Sequence, residues 1–272
     1  MITRDLPFDE YLVLPGEHFS TLKALDVSPI AYRHACDNER GDTDALRIGR
    51  LAHSMILTPG LPDGVAVYDG PVRRGKVWDA FEAANAGKEI VRLGEINGAM
   101  RMRDAVMAHP KARELLSDGD PEVSFTWDDT GIACKGRVDF LRPGGGIVEL
   151  KTTRVAGKRA FDREFAARLY HAQAAFYVDG YATASEYDVN SCHMIVVQNV
   201  APYDVGVLRI GGDVIEAGRR KVAQWLESLR VCQDAGQWSG AWGDGIEDVE
   251  LPEWAEADGL PDVDMSGIEE VT

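Results

Sequence analysis

The chain has 272 residues, 45% of them hydrophobic, enough for one large packed core or two small ones. No apolar run approaches the roughly 20 residues of a membrane helix, and the opening MITRDLPFDE lacks the basic and apolar regions of a signal peptide. No membrane association and a cytoplasmic location are therefore expected. The net charge of −16 excludes a uniformly basic surface, but from residue 244 onward there are eleven acidic residues and no Lys or Arg. Residues 1–243 hold 34 acidic against 29 basic residues, a net of −5 that leaves room for a local basic groove.

In chain order, residues 18–35 predict a short helix, a break, and a second helix with Ser28 as its cap and Pro29 in its first turn. A helix opening at Asp44 carries Leu46, Ile48, Leu51, Ala52, Met55 and Ile56 at helical spacing, includes His53, and ends before Pro59. A short strand is expected at 65–68, then the basic cluster Arg73, Arg74 and Lys76. Helical patterns follow at 77–86 and 94–108, the second terminated by Pro110.

From Glu122 the period changes to two. EVSFTW, a turn at DDTG, IACKGRVDFLR, a turn at PGGG and IVELKTT predict three antiparallel strands joined by hairpins. One helix over 157–184, strands at 191–198 and 204–210, and a last helix from Asp213 to about Gln237 complete the body. Beyond Trp242, Gly, Pro and acidic residues with little periodicity predict a disordered tail over 244–272. The cysteines, Cys36, Cys134, Cys192 and Cys232, are spread without close pairing, which suggests neither a zinc site nor a disulfide framework.

The second hairpin carries the chemistry. Asp139 precedes a turn marked by Pro143 and three glycines, which returns the chain so that Glu149 arrives near it on the next strand. Because side chains alternate along a strand, Glu149 and Lys151 share one face and Leu150 points to the other. Two carboxylates and the Leu150 carbonyl suit a hard divalent cation, with magnesium expected and manganese as a substitute. Lys151 beside them would orient or deprotonate an attacking water and steady charge building on a phosphate. A salt-bridged edge of an ordinary sheet is the alternative, but IVELKTT otherwise reads as a buried strand, where such groups demand partners or a function. Glu122, at a strand start, is either an aid to a second metal or simply solvated. Arg73, Arg74 and Lys76 form either a patch for DNA phosphates, including a 5′ end, or a plain exposed face.

At these residues the chain resembles the PD-(D/E)XK nuclease superfamily, and within it the exonuclease VIII (RecE) type, with lambda exonuclease and the RecB nuclease domain as more distant relatives. The likeness extends to Ser20 and Leu22, to Ser28-Pro29 and Tyr32, to GRLAHSMIL around His53, and to HAQAAFY after the sheet, in order over about residues 18–200. It implies an α/β fold with a restriction-endonuclease-like core, a central mixed β-sheet flanked by helices. One exonuclease domain over 1–243 is expected, helical over about 1–115 and catalytic over about 116–243.

The resemblance further implies that Asp139 and Glu149 bind magnesium, that Lys151 is the catalytic lysine, and that His53 approaches the metal or the scissile phosphate; a histidine packed under the sheet is the other reading. Gln173 and Tyr177, four apart and so on one helical face, would hold the DNA strand or orient Lys151, unless Tyr177 is core packing. The implied activity is 5′-to-3′ degradation of linear double-stranded DNA, leaving 3′ single-stranded tails for recombination. Alternatives are a nuclease of other polarity or for single-stranded or flap DNA, and an idle DNA-binding module that keeps the fold. A homo-oligomer enclosing DNA, a single-strand annealing protein as partner, and a phage or prophage origin follow from the same resemblance. Relatives with an iron–sulfur cluster use one early cysteine and three clustered late ones, a grouping this chain lacks, so no cluster is expected. No P-loop is present, so any motor would be another chain.

Overall fold

The computed structural model describes residues 1–38, 41, 43–58, 60–62, 64–243, 245, 246 and 248–251. The N-terminal part holds β1 (Ile2–Thr3), α1 (Phe8–Val13), α2 (Phe19–Leu22), α3 (Pro29–Asp37), α4 (Asp44–Leu57), β2 (Val65–Tyr68), α5 (Lys76–Ala84), β3 (Glu89–Arg92), α6 (Leu93–Ala108) and α7 (Pro110–Leu115). α3 starts as expected, with Pro29 in its first turn and Ser28 Oγ accepting from the Ala31 N–H at 3.2 Å. α4 is opened in the same way by Thr43, whose Oγ1 accepts from the Leu46 N–H.

Beside the expected strand at 65–68, three features there differ from the expected helical segment. β1 pairs antiparallel with the edge of the main sheet, β2 pairs parallel with an unforeseen β3, and Pro110 opens a further helix as well as closing α6. The last follows from His109, which takes an extended backbone and caps α7 through Nδ1, accepting the Ala112 N–H at 3.2 Å.

The rest comprises β4 (Asp120–Asp129), β5 (Ile132–Arg142), β6 (Gly146–Thr153), α8 (Lys158–Ala167), α9 (Tyr170–Ala184), β7 (Cys192–Gln198), β8 (Val205–Ile210) and α10 (Asp213–Ala235). The six-stranded sheet has the order β1-β4-β5-β6-β7-β8; β6 and β7 are parallel and the other neighbours antiparallel, so the sheet is mixed as expected. The β4–β5 loop is the tight turn read from DDTG: Thr130 and Gly131 both have positive φ, the requirement of a two-residue hairpin turn. The helix expected over 157–184 is two helices. Leu169, at φ 59° and ψ 34°, breaks it in the left-handed region without the glycine or proline that would have marked the break.

Helices cover both faces of the sheet. One core joins Val123, Phe125 and Trp127 of β4 and Ile147 of β6 to Phe176 and Tyr181 of α9 and Trp225 and Leu229 of α10. The other joins Val148 and Leu150 of β6 and Ile195 and Val197 of β7 to Met55 of α4, Ala99 and Met102 of α6 and Leu115 of α7. No helix among the described residues is long and apolar enough to cross a membrane. Of the expected acidic tail, residues 245, 246 and 248–251 are exposed without helix or strand, and the others lie outside the described residues.

Candidate active site

The register Phe140↔Val148 sets Asp139 opposite Glu149, and there the backbone ladder between β5 and β6 gives way to side chains. The Leu150 N–H donates to Asp139 Oδ2 at 2.7 Å, and the Asp139 N–H donates to Glu149 Oε1 at 3.4 Å. Carboxylates thus stand where carbonyls would, which brings the two acids together on splayed strands. Glu149 is 2% exposed, and Lys151, on the same face, donates to its Oε2 at 3.0 Å. The Lys151 ammonium also lies 5.4 Å from the centroid of the Tyr170 ring, which the break at Leu169 delivers to this spot. From α9, Gln173 Nε2 donates to Glu149 Oε2 at 3.4 Å; from α4, His53 Nδ1 faces Asp139 Oδ1 at 3.5 Å.

Burial and proximity split the two carboxyls. Burial pushes Asp139 up, but His53, Lys151 and the Leu150 N–H outweigh it and hold the group below the ordinary carboxylate range. Burial, together with the neighbouring Asp139 charge, pushes Glu149 well above that range despite Lys151. Burial alone would lower Lys151, yet the two acids more than offset it and keep the ammonium charged. Among the described residues no group of three or more His, Cys, Asp and Glu side chains converges as a metal cluster. A buried carboxyl held above its usual range beside a half-buried one is a set of oxygen donors whose chemistry fits a hard cation.

Two clefts border members of this group. One, of about 280 Å³, reaches Asp139, Gln173 and Tyr177 beneath α1. The other, of about 550 Å³, is bordered by Lys151, His53, Arg50, Arg154 and Arg168. Arg154 is exposed, Arg168 pairs with Glu164 at 2.6 Å, and Arg50 pairs with Glu89 at 3.0 Å.

The other expected residues are placed unevenly. Glu122 lies between the pairs Pro121↔Phe140 and Val123↔Val138, hence across from Asp139, but its Oε2 accepts from Arg137 Nη2 at 2.5 Å. Gln173 reaches Glu149 and not Lys151. The Tyr177 ring packs edge-on against Phe125 at 6.2 Å, as core packing would have it, and also borders the cleft. The Leu150 side chain is buried in the core on the opposite face. Arg73 is engaged by the Ile90 carbonyl at 2.6 Å and lies over Trp78, while Arg74 and Lys76 are exposed; none of the three borders either cleft.

Sequence reasoning missed Arg50, Arg154 and Arg168, and the α1 residues Phe8 and Tyr11. Two signals were available: Arg50 precedes His53 by three on one helix and so shares its face, and Arg154 follows Lys151 by three at the end of the strand. Nothing local marks α1 or Arg168.

An α/β fold with helices on both faces of a mixed sheet, and a hairpin presenting an aspartate opposite a Glu-x-Lys, defines the PD-(D/E)XK-like class of core. The chain belongs to the family described as a PDDEXK-like domain of unknown function (DUF3799), whose model matches residues 18–245. It is similar to the crystal structure of a protein from Eubacterium rectale described as a putative exonuclease, with 13% identity and a TM-score of 0.64 over 95% of this chain and 100% of that one; this likeness shows the fold alone. The crystal structure of SSO0001 aligns over 71% of this chain and 88% of that one at 12% identity, and its TM-score of 0.31 carries no argument. No curated protein matches the chain.

Proposed function

We propose that this chain is a magnesium-dependent deoxyribonuclease with Asp139, Glu149 and Lys151 at its reaction centre. The observation that carries the reading is the buried Glu149, facing a second carboxylate with an ammonium 3.0 Å away. Such a group is costly to a fold unless something uses it. Asp139, Glu149 and the Leu150 carbonyl are the groups that would hold the ion, which when bound polarises a phosphate and makes a water more acidic. Manganese, with similar oxygen preferences, substitutes. Lys151, kept charged by its neighbours, donates to the phosphate oxygens as negative charge grows there. Gln173 fixes the orientation of Glu149, and His53 holds Asp139 from the opposite helix. The arginines of the larger cleft gather the phosphates of the strand.

The finer reading is an exonuclease of linear double-stranded DNA acting 5′ to 3′, in a homo-oligomer and with a single-strand annealing protein in the cytoplasm. It is supported by the resemblance to the exonuclease VIII type, and the description of the Eubacterium rectale protein as a putative exonuclease agrees with the exonuclease part alone. End-labelled duplexes incubated with magnesium test it. Release of the 5′ label as mononucleotide is expected, with Lys151→Ala and Asp139→Asn slower by at least ~100-fold. Internal cuts in closed circles would exclude an obligate exonuclease. A parent protein that binds DNA yet cuts it with neither magnesium nor manganese would leave an idle DNA-binding module.

A further inference from the structure

We propose that Tyr170 is a positioning residue whose ring holds the Lys151 ammonium at the border of the larger cleft while leaving its hydrogens for a phosphate of the substrate. This rests on the nuclease reading of Asp139, Glu149 and Lys151.

A lysine is a compact charge on a flexible four-carbon stem, so its aim has to be set by its surroundings. Among the described residues the Lys151 ammonium has one hydrogen-bond acceptor, Glu149 Oε2 at 3.0 Å. A further acceptor would steady it but would engage another of its N–H groups. Lys135 shows where that leads: with carbonyls at 3.3, 2.8 and 2.6 Å, all its hydrogens are engaged and none is left for a ligand. Lys151 instead lies over the Tyr170 ring, 5.4 Å from its centroid. The attraction there is between the whole charge and the negative face of the ring, and it assigns no particular hydrogen. The Lys151 side chain is 15% exposed, and both it and Tyr170 border the larger cleft.

The ring is placed by a feature that needs a reason. Tyr170 opens α9 directly after Leu169, whose left-handed backbone is strained for a leucine. Glycine would relieve the strain, but the Leu169 side chain packs against the core shared by α9 and α10. Packing therefore holds the turn, and the turn delivers the ring. Phe161 and Phe165 of α8 brace it, the first nearly parallel at 6.4 Å and 27°, the second edge-on at 6.0 Å and 72°. Three residues on, and so on the same helical face, Gln173 donates to Glu149 Oε2. The first turn of α9 thus governs both members of the ion pair, the carboxylate through an amide and the ammonium through a ring.

One test is spectroscopic and requires neither metal nor activity. In protein carrying isotopically labelled lysine, the Lys151 ε-methylene signal is identified by its absence in Lys151→Met. It is expected upfield of the ordinary lysine position through the ring current of Tyr170. Tyr170→Phe keeps that shift and Tyr170→Leu abolishes it. An ordinary position in the parent, or no movement in Tyr170→Leu, overturns the proposal. The other test is single-turnover cleavage of end-labelled duplex with magnesium. Tyr170→Leu is expected to be slower by about 3- to 30-fold at an unchanged half-saturating DNA concentration, with Tyr170→Phe at the parental rate. Should Tyr170→Leu fail to fold, trifluorophenylalanine at this position keeps the shape of the ring, weakens its negative face and is expected to slow cleavage in the same direction. A parental rate without the ring, equal slowing in Tyr170→Phe, or a change confined to the half-saturating concentration overturns the proposal. A parent with the shifted signal that cuts DNA with neither magnesium nor manganese defeats the nuclease reading, while the hold of the ring on Lys151 stands.

Discussion

Lys135 and Glu149 are both buried charges, 4% and 2% exposed, and the fold treats them in opposite ways. Burial pushes the Lys135 ammonium down, but its three hydrogens meet three carbonyls at the end of α1, the end where a helix dipole favours a cation. Its charge is answered by structure. Glu149 meets another carboxylate, and its charge is answered by Lys151 and Gln173 only in part. The first pattern marks an anchor, and the second accords with the role proposed for Glu149. Lys135→Met would leave those carbonyls without their donor, a loss of about 1–3 kcal/mol for a buried acceptor, which at this size corresponds to a fall in Tm of roughly 2–10 °C. Thermal unfolding checks the value, and limited proteolysis should show faster cleavage within residues 1–17. A Tm within 1 °C of the parent, taken as roughly the noise of such a scan, would show that α1 is held by something else.

At the scale of elements, α9 is the piece that brings Tyr170, Gln173 and Tyr177 to the hairpin, and α10 holds α9 in place. The two helices approach so closely that a Cβ at Gly218 would meet the His171 carbonyl oxygen at 2.2 Å. Alanine is the better helix former by about 1 kcal/mol, yet an overlap with backbone cannot be relieved by turning a side chain. Gly218→Ala should therefore destabilise by about 1–3 kcal/mol in urea unfolding, and a gain in stability would show the crossing to be looser than drawn.

The same helices show what local pattern can and cannot reveal. The hairpins from Asp120 to Thr153 were legible because period-two alternation and the turn residues at 128–131 and 143–146 agree with each other. That agreement also made the facing of Asp139 with Glu149 readable. The break at Leu169 was not, since its left-handed backbone is imposed by packing and not by a residue that prefers it. β1 escaped because two residues carry no period, and β3 because its partner β2 lies more than twenty residues away. Arg168 and Phe8 reach the site through tertiary folding alone, as do the partners of Arg73, which turn it from a surface cation into a bolt between β3 and α5.

For the molecule as a whole, the sheet divides two cores that share their strands. β6 belongs to both: Ile147 is packed on the side of α9 and α10, Val148 and Leu150 on the side of α4, α6 and α7. It is also flanked on one edge by β5 and on the other by the full length of β7. Catalytic groups in many proteins sit on segments that open readily; here the strand bearing Glu149 and Lys151 cannot leave either layer without exposing both. Its amide hydrogens over residues 147–153 should be among the slowest to exchange with deuterium, at rates set by complete unfolding and insensitive to low denaturant, while those of α1 exchange through local opening. Exchange of β6 as fast as that of α1 would contradict this. Under the proposed function, motion needed for turnover would then fall to the walls of the clefts, with the proposed reaction centre as the fixed point about which they move.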